Sequence, residues 1–406
     1  MSLPDSADRE AGRAPPAFLM FLALMTAVVA LTIDAMLPAL DAVSADLGFA
    51  TANDRQLVVL VVFAGLGLSQ PVFGPLADAI GRRRAALIGW ALYAAGTLLC
   101  LAARTPEALL AGRFLQGVGA GGPRIIALAI VRDLYEGRAM ARMLSLVLTI
   151  FMAVPMVAPL VGQGIEAAGG WRAILGLYLA LAALASAWYL LGVPETLPPE
   201  ERRPLTFRPI AAAFAEIFSS RVAMGYAVAA LCVFGPFVTY VATAQQVLEE
   251  LYGLGPLFPL AFGALALAFM ASSFANSRLV MRLGMRRLAL LGLAVLCLDA
   301  GLAVLLLTAT PIGGVPPLWL FMALMGVIFF CVAILFANFN ALALQPLGHI
   351  AGTASAVVMS ITSLGAGGIA AVIARQYDGS LVPMFTGFLV LGVLAFLLMW
   401  LAERGR

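Results

Sequence analysis

Gly74-Pro-Leu-Ala-Asp78-Ala-Ile-Gly81-Arg82-Arg83-Arg84 is a short charged hinge between two long apolar runs, residues 56–77 and 85–103. Each run has roughly the 20 residues that a helix needs to cross the hydrocarbon core of a bilayer. A hinge this short holds no folded domain, so it turns the chain back at one membrane face. Lys and Arg accumulate in cytoplasmic loops, so three consecutive arginines place that face inside.

Composition supports the same reading along the whole chain. Of 406 residues, 63% are hydrophobic and 11% charged, and the mean hydropathy is +1.03. A soluble protein carries about 25% charged residues, so lipid is the solvent here. The four cysteines, Cys100, Cys232, Cys297 and Cys331, each fall inside an apolar run and have no metal-ligand spacing. They read as small packing residues. His349 is the single histidine, which argues against zinc and Ser-His or Cys-His chemistry. Residues 1–16 are polar and do not resemble a cleavable signal peptide, so the first apolar run reads as a retained span.

Twelve such runs are present. The first six cover residues 17–40, 56–77, 85–103, 107–131, 139–164 and 171–193. The second six cover 222–247, 257–277, 288–307, 317–341, 350–374 and 381–402. Backbone polar groups must be satisfied within lipid, so these are helices. With both termini inside, eighteen arginines fall on inner segments, four on outer loops and two within a span. That bias sets the topology, with both ends cytoplasmic. The expected organisation is an inner tail over 1–16, a six-helix half over 17–193, a cytoplasmic linker over 194–221, a second half over 222–402 and a short tail over 403–406. Within the linker, residues 207–220 are mildly amphipathic and read either as a surface helix or as a plain connection. The two halves echo each other: residues 76–84 align without a gap on residues 279–287, 203 positions later. Transporters built from repeats related by an axis along the membrane normal place the substrate near the midplane.

Ionisable groups inside spans are expensive and therefore informative. Asp34, in Leu31-Thr-Ile-Asp34-Ala-Met-Leu-Pro38, must face a cavity, pair with a cation or take up a proton. Burial opposes its ionisation and a nearby arginine favours it, so it reads as a proton and substrate site, or as a structural ion pair. Arg113 lies at matching depth in the fourth span and is the natural partner. Arginine keeps its charge, so it is not the proton carrier. Arg124 follows three helical turns later, after Pro123, and either lines the cavity or ties the structure near the inner mouth. In the second half, Asn338 and Asn340 either bond across helices or touch a ligand. Phe234, Phe237 and Tyr240 line the cavity wall or simply pack.

The hinge of residues 74–84 resembles the loop signature of the major facilitator superfamily between the second and third helices. That resemblance implies a cytoplasmic gate in which Asp78 makes a charge and helix-dipole contact, with Gly74, Gly81 and Arg82 in the same motif. Arg132-Asp133-x-Tyr135, which ends the fourth helix, is expected to share that network. Arg113-Phe-Leu-Gln-Gly117 resembles the superfamily's fourth-helix motif, implicated in proton transfer. Ala153-Val-Pro155-Met-Val-Ala158-Pro159-Leu-Val-Gly162-Gln163 resembles the antiporter signature of drug exporters, with alanines in place of two glycines and Gln163 in place of the last. The whole chain resembles the bicyclomycin and chloramphenicol resistance branch of drug–proton antiporters. Further marks are Ile33-Asp34-x-x-Leu37-Pro38, Pro194-Glu-Thr-Leu-Pro198, Asn276-x-Arg278 and Pro346-x-Gly348-His-x-Ala351-Gly352. Arg124 departs from the pattern of that branch, where a small or apolar residue is usual.

The expectation is an all-α membrane protein with the major facilitator fold, in two six-helix repeats, acting as a transporter and not an enzyme. It exports neutral or zwitterionic amphiphiles, phenicol-like or bicyclomycin-like, across a bacterial inner membrane by alternating access. Export of a small metabolite, or proton-coupled uptake, are the other readings. No cofactor is expected beyond the proton-motive force. The expected partners are a small-molecule substrate, protons and the lipid bilayer, with no nucleic acid, and the chain is expected to be a monomer.

Overall fold

The structure, a computed structural model, describes residues 13–202, 205, 207–309 and 314–404. Residues 1–12 of the expected N-terminal tail, residues 203, 204 and 206 of the expected linker, and the last two residues lie outside these. Among the described residues there are helices and turns and no strand. In chain order the helices are α1 (Pro16–Asp34), α2 (Leu40–Leu47), α3 (Leu57–Ile80), α4 (Arg82–Ala102), α5 (Pro106–Leu134), α6 (Gly137–Gly169), α7 (Trp171–Gly192), α8 (Phe207–Ser219), α9 (Arg221–Gln245), α10 (Phe258–Leu283), α11 (Met285–Ala309), α12 (Leu318–Leu344), α13 (Ala351–Ala374) and α14 (Val382–Glu403).

Among the described residues, eleven stretches are long and apolar enough to cross a membrane. One of them, Leu318–Ala374, is 57 residues long and holds two helices, α12 and α13, joined by the turn Gln345–Ile350. The twelve expected spans are therefore present among the described residues. Large apolar side chains such as Leu68, Leu160, Leu298, Trp319 and Val390 are exposed on the helix surfaces. Water does not tolerate apolar surface on that scale, and lipid does. The chain is a multi-pass membrane protein.

The chain divides into two compact units. Unit 1 holds Met1–Phe49 and Val61–Phe207, and unit 2 holds Ala50–Leu60 and Arg208–Arg406. The short stretch Ala50–Leu60 thus groups with unit 2. There Gln56 Nε2 donates to Gln246 Oε1 at 2.6 Å, Arg55 pairs with Glu250, and Asn53 Nδ2 donates to the Tyr377 carbonyl at 2.9 Å.

In unit 1, α5 is gripped from two sides because its glycines remove the Cβ atoms that would hold neighbours away. A Cβ at Gly117 would lie 2.3 Å from the Val62 carbonyl oxygen of α3, and one at Gly119 would lie 2.3 Å from the Tyr93 nitrogen of α4. These contacts fix the helix that carries Arg113. In unit 2, α8 answers the question left open by its sequence. Ile217 is fully buried in a cluster with Leu347, Ala354 and Val357, and Phe214 packs beside it. His349 Nε2 lies 2.9 Å from Glu216 Oε1 on the same helix. The amphipathic segment is a helix seated on its own unit, not a plain connection.

Candidate functional site

The first span breaks where its one carboxylate sits. Ala35 N–H donates to the Leu31 carbonyl at 3.1 Å, which is the last turn of α1, and a 3₁₀ turn Leu37–Ala39 follows. Pro38 explains the position: it has no N–H to offer the carbonyl of Asp34, four residues earlier, and its ring crowds that carbonyl. The last carbonyls of α1 gather side-chain donors there. Tyr178 Oη donates to the Leu31 carbonyl at 3.1 Å. Arg113 Nη2 donates to the Thr32 carbonyl at 2.7 Å.

Arg113 is fully buried and its place is set by further bonds. Its Nη1 donates to Gln116 Oε1 at 2.9 Å, and Gln116 Nε2 donates to Thr97 Oγ1 at 2.8 Å. Thr97 Oγ1 donates to the Tyr93 carbonyl at 2.8 Å, while Tyr93 Oη and Thr32 Oγ1 share a 2.7 Å bond that returns the network to α1. The depth expected for Arg113 is right, since it meets α1 two residues before Asp34. The atom it meets is a backbone carbonyl at the negative end of a helix, a natural seat for a cation.

Asp34 itself is 6% exposed. Among the described residues its carboxylate makes no ion pair or hydrogen bond. Gly162 of α6 presses on the peptide that follows: a Cβ there would lie 1.9 Å from the Ala35 carbonyl oxygen. Ala158 and Pro159 are buried on the same helix, with Pro155 one turn away. The residues of the antiporter-like motif thus bring α6 against the break that carries Asp34.

Arg124 stands apart from this network. It is half-buried, and its guanidinium carbon lies 5.2 Å from the centre of the Phe151 ring on α6. Among the described residues it makes no ion pair.

The hinge of residues 74–84 forms a second cluster. Arg82 is 7% exposed. Its Nε donates to Asp133 Oδ2 at 2.8 Å and its Nη2 to Asp133 Oδ1 at 3.1 Å, a bidentate pair. Nη1 pairs with Asp78 one turn earlier. Asp133 is thus the member of the Arg132-Asp133 dipeptide that joins this cluster. Gly74 is packed on nothing: a Cβ there would meet no atom within 4 Å. Gly81 has a φ of +96°, which favours glycine, and a Cβ there would lie 2.4 Å from Glu195 Oε2.

Glu195, in Pro194-Glu-Thr-Leu-Pro198, completes this cluster. Its carboxylate accepts from the Arg82 amide at 2.9 Å and the Arg83 amide at 3.1 Å. It therefore caps the start of α4, where amides are otherwise orphaned and negative charge is favoured. Glu195→Ala is expected to lower stability by about 1–2 kcal/mol. Glu195→Gln, which keeps one acceptor, falls between the two. Melting temperatures in detergent check the order.

In unit 2, Asn338 is buried and its Nδ2 donates to Asn276 Oδ1 at 2.7 Å, tying α12 to α10. Asn340 Nδ2 donates to the Phe336 carbonyl of its own helix at 2.7 Å. Phe234 and Phe237 stack at 5.2 Å, and Tyr240 meets Phe329 edge-on at 5.2 Å. Tyr240 is fully buried in this aromatic packing, whereas Phe234 and Phe237 are half-buried. The sequence reading missed Asp299, a second carboxylate inside a span, on α11. Its Oδ2 is buried with no hydrogen-bond partner among the described residues. The signal was present as the single acid of the run 288–307.

Comparison with known proteins agrees with this architecture. A family model described as the Major Facilitator Superfamily matches residues 22–371. An uncharacterized MFS-type transporter, YdgK, of Bacillus subtilis (strain 168) is 32% identical over 372 residues, covering 90% of each chain. A bicyclomycin resistance protein homolog of Haemophilus influenzae is 27% identical over 386 residues, covering 93% of this chain and 95% of the other. Among solved structures, a D-xylose-proton symporter matches with a TM-score of 0.74 at 15% identity, over 95% of this chain and 98% of that one. At that identity the likeness is one of fold.

Proposed function

The chain belongs to the Major Facilitator Superfamily, its relatives fit the bicyclomycin and chloramphenicol resistance branch, and from that premise we propose that it is a drug–proton antiporter of a bacterial inner membrane. It is a transporter and not an enzyme. It binds a neutral or zwitterionic amphiphile from the cytoplasm or inner leaflet and releases it outside by alternating access. Asp34 takes up an external proton as the compound leaves and releases it inward to reset the cycle.

One observation carries this reading. A carboxylate lies 6% exposed inside a span, at a helix break, with no bonding partner among the described residues. Such a group is costly to keep charged and is retained for a reason. The neighbouring cation makes no ion pair with it among the described residues: the Arg113 guanidinium is held on the Thr32 carbonyl and Gln116. Proton exchange with water at each stage of the cycle is the use that fits best. The α6 motif on the adjacent peptide and the Arg82 cluster, whose bonds can break and re-form, suit a two-state machine.

The test is made in everted membrane vesicles from a host lacking its own drug pumps. With an acid interior imposed, adding chloramphenicol or bicyclomycin is expected to collapse the pH gradient only when this chain is present. Cells expressing it are expected to survive higher doses of at least one of the two compounds. Resistance without any drug-dependent proton movement would overturn the proton coupling. Proton-driven accumulation in intact cells would make it an uptake symporter.

A further inference from the structure

Arg124 is the one described intramembrane arginine for which the structure provides only a ring. It lies seven residues before residue 131, the inner end expected for the fourth span, which is about 10 Å along the axis. A side chain cannot snorkel that far to reach the membrane surface. Arginine does not shed its charge, and among the described residues no carboxylate pairs with it. By contrast Arg113, eleven positions earlier, is held by a carbonyl and an amide oxygen. The Phe151 face at 5.2 Å gives Arg124 partial relief, and its guanidinium still has donors to offer. The residue is only half-buried, so part of it is reachable. Its backbone is also fixed: a Cβ at Gly121 would lie 2.0 Å from Ser69 Oγ, and one at Gly122 would lie 2.5 Å from the Phe73 ring. The guanidinium is thus presented from a turn wedged against α3.

We propose that Arg124 and Phe151 form an anion-binding subsite in unit 1 that takes the carboxylate of an aromatic amphiphile. The guanidinium fork matches a carboxylate, and the half-buried Phe151 beside it offers apolar contact to the body of the ligand. The inference rests on the efflux reading and shifts its substrate class: zwitterions and monoanions are carried ahead of neutral and cationic compounds. The phosphate of an anionic lipid has similar chemistry and is separated from this by the test.

The experiment uses the full chain, purified in a non-ionic detergent, with 1-naphthoate and its neutral analogue 1-naphthalenemethanol as probes. Titrations are followed by thermal shift. Naphthoate is expected to raise the wild-type melting temperature saturably at millimolar concentration, and the alcohol to do so less. In Arg124→Gln the naphthoate affinity is expected to fall about tenfold or more, with the response to the alcohol unchanged. Arg124→Lys, which keeps the charge and loses the fork, recovers part of it. Phe151→Leu weakens both probes. An equal naphthoate response in wild type and Arg124→Gln overturns the subsite. So does the absence of any naphthoate response in the wild type, which needs no variant to fold. A third arm uses nanodiscs of phosphatidylcholine with and without phosphatidylglycerol. Arg124-dependent stabilisation by phosphatidylglycerol, with none by naphthoate, assigns the site to lipid and sinks the proposal. Drug-driven proton movement is read separately. If it persists while the naphthoate arms fail, only the subsite falls. If the naphthoate arms succeed and no proton moves, only the antiport reading falls.

Discussion

Asp34→Asn is expected to abolish proton-driven efflux while the protein still inserts and folds. Asparagine matches aspartate in size and has no proton to exchange. The carboxylate makes no ion pair or hydrogen bond among the described residues, so the change removes no native bond. Melting in detergent is therefore expected to stay within about 0.5 kcal/mol of wild type. Removing the charge from an intramembrane site even favours insertion. Efflux driven by an imposed pH gradient falls a hundredfold or more, on the order of what a lost proton-transfer group costs. Exchange of labelled for unlabelled drug, which needs no net proton movement, survives and becomes insensitive to pH. Everted vesicles measure the first quantity and proteoliposome counterflow the second. Unchanged gradient-driven efflux in the variant would remove Asp34 from the mechanism.

Gly162→Ala is expected to be as damaging for a purely steric reason. The added Cβ would sit 1.9 Å from the Ala35 oxygen, 2.7 Å from its carbon and 2.9 Å from its Cα. All three are backbone atoms of the break in the first span, so no flexible side chain can move aside. Overpacking of this kind costs about 1–3 kcal/mol or more. Gly162→Val costs more still. Gly164→Ala, two positions on, meets nothing within 4 Å and serves as the control. Thermal melting and transport are both read. The relaxation that does occur displaces Ala35 and hence Asp34, so transport falls further than stability. Wild-type behaviour of Gly162→Ala in both assays would show that α6 does not abut the break.

Much of this was legible in the sequence, and the rest failed for identifiable reasons. Twelve apolar runs separated by arginine-rich hinges fix the number and type of elements, because lipid leaves the backbone no other choice. Helix lengths were less legible: α6 covers 33 residues, well beyond the span of 139–164, because a helix can continue past the bilayer where hydropathy no longer reports it. Asp34 stood out as an acid in oil. Its setting at a helix break was encoded by Pro38, whose missing N–H acts four residues upstream. Arg113 was placed at the correct depth, but pairing by depth cannot distinguish a carboxylate from a carbonyl two residues away on the same helix. Glu195 caps amides more than a hundred residues earlier in the chain, a pairing that spacing does not reveal. Asp299 was plainly visible and was passed over because no motif surrounds it.

The grip of Arg113 on the main chain at Thr32 has an electrical corollary. If Asp34 carries the proton as proposed, its arrival is expected to leave the Arg113 guanidinium on the Thr32 carbonyl and Gln116. The pair therefore alternates between balanced and singly positive at one fixed depth. A voltage across the bilayer acts directly on that alternation, worth up to about 2.3 kcal/mol per 100 mV if the whole field is crossed. On the antiport reading, transport is expected to answer to electrical potential as well as to acidity, and to continue in alkaline surroundings where the pH difference alone vanishes.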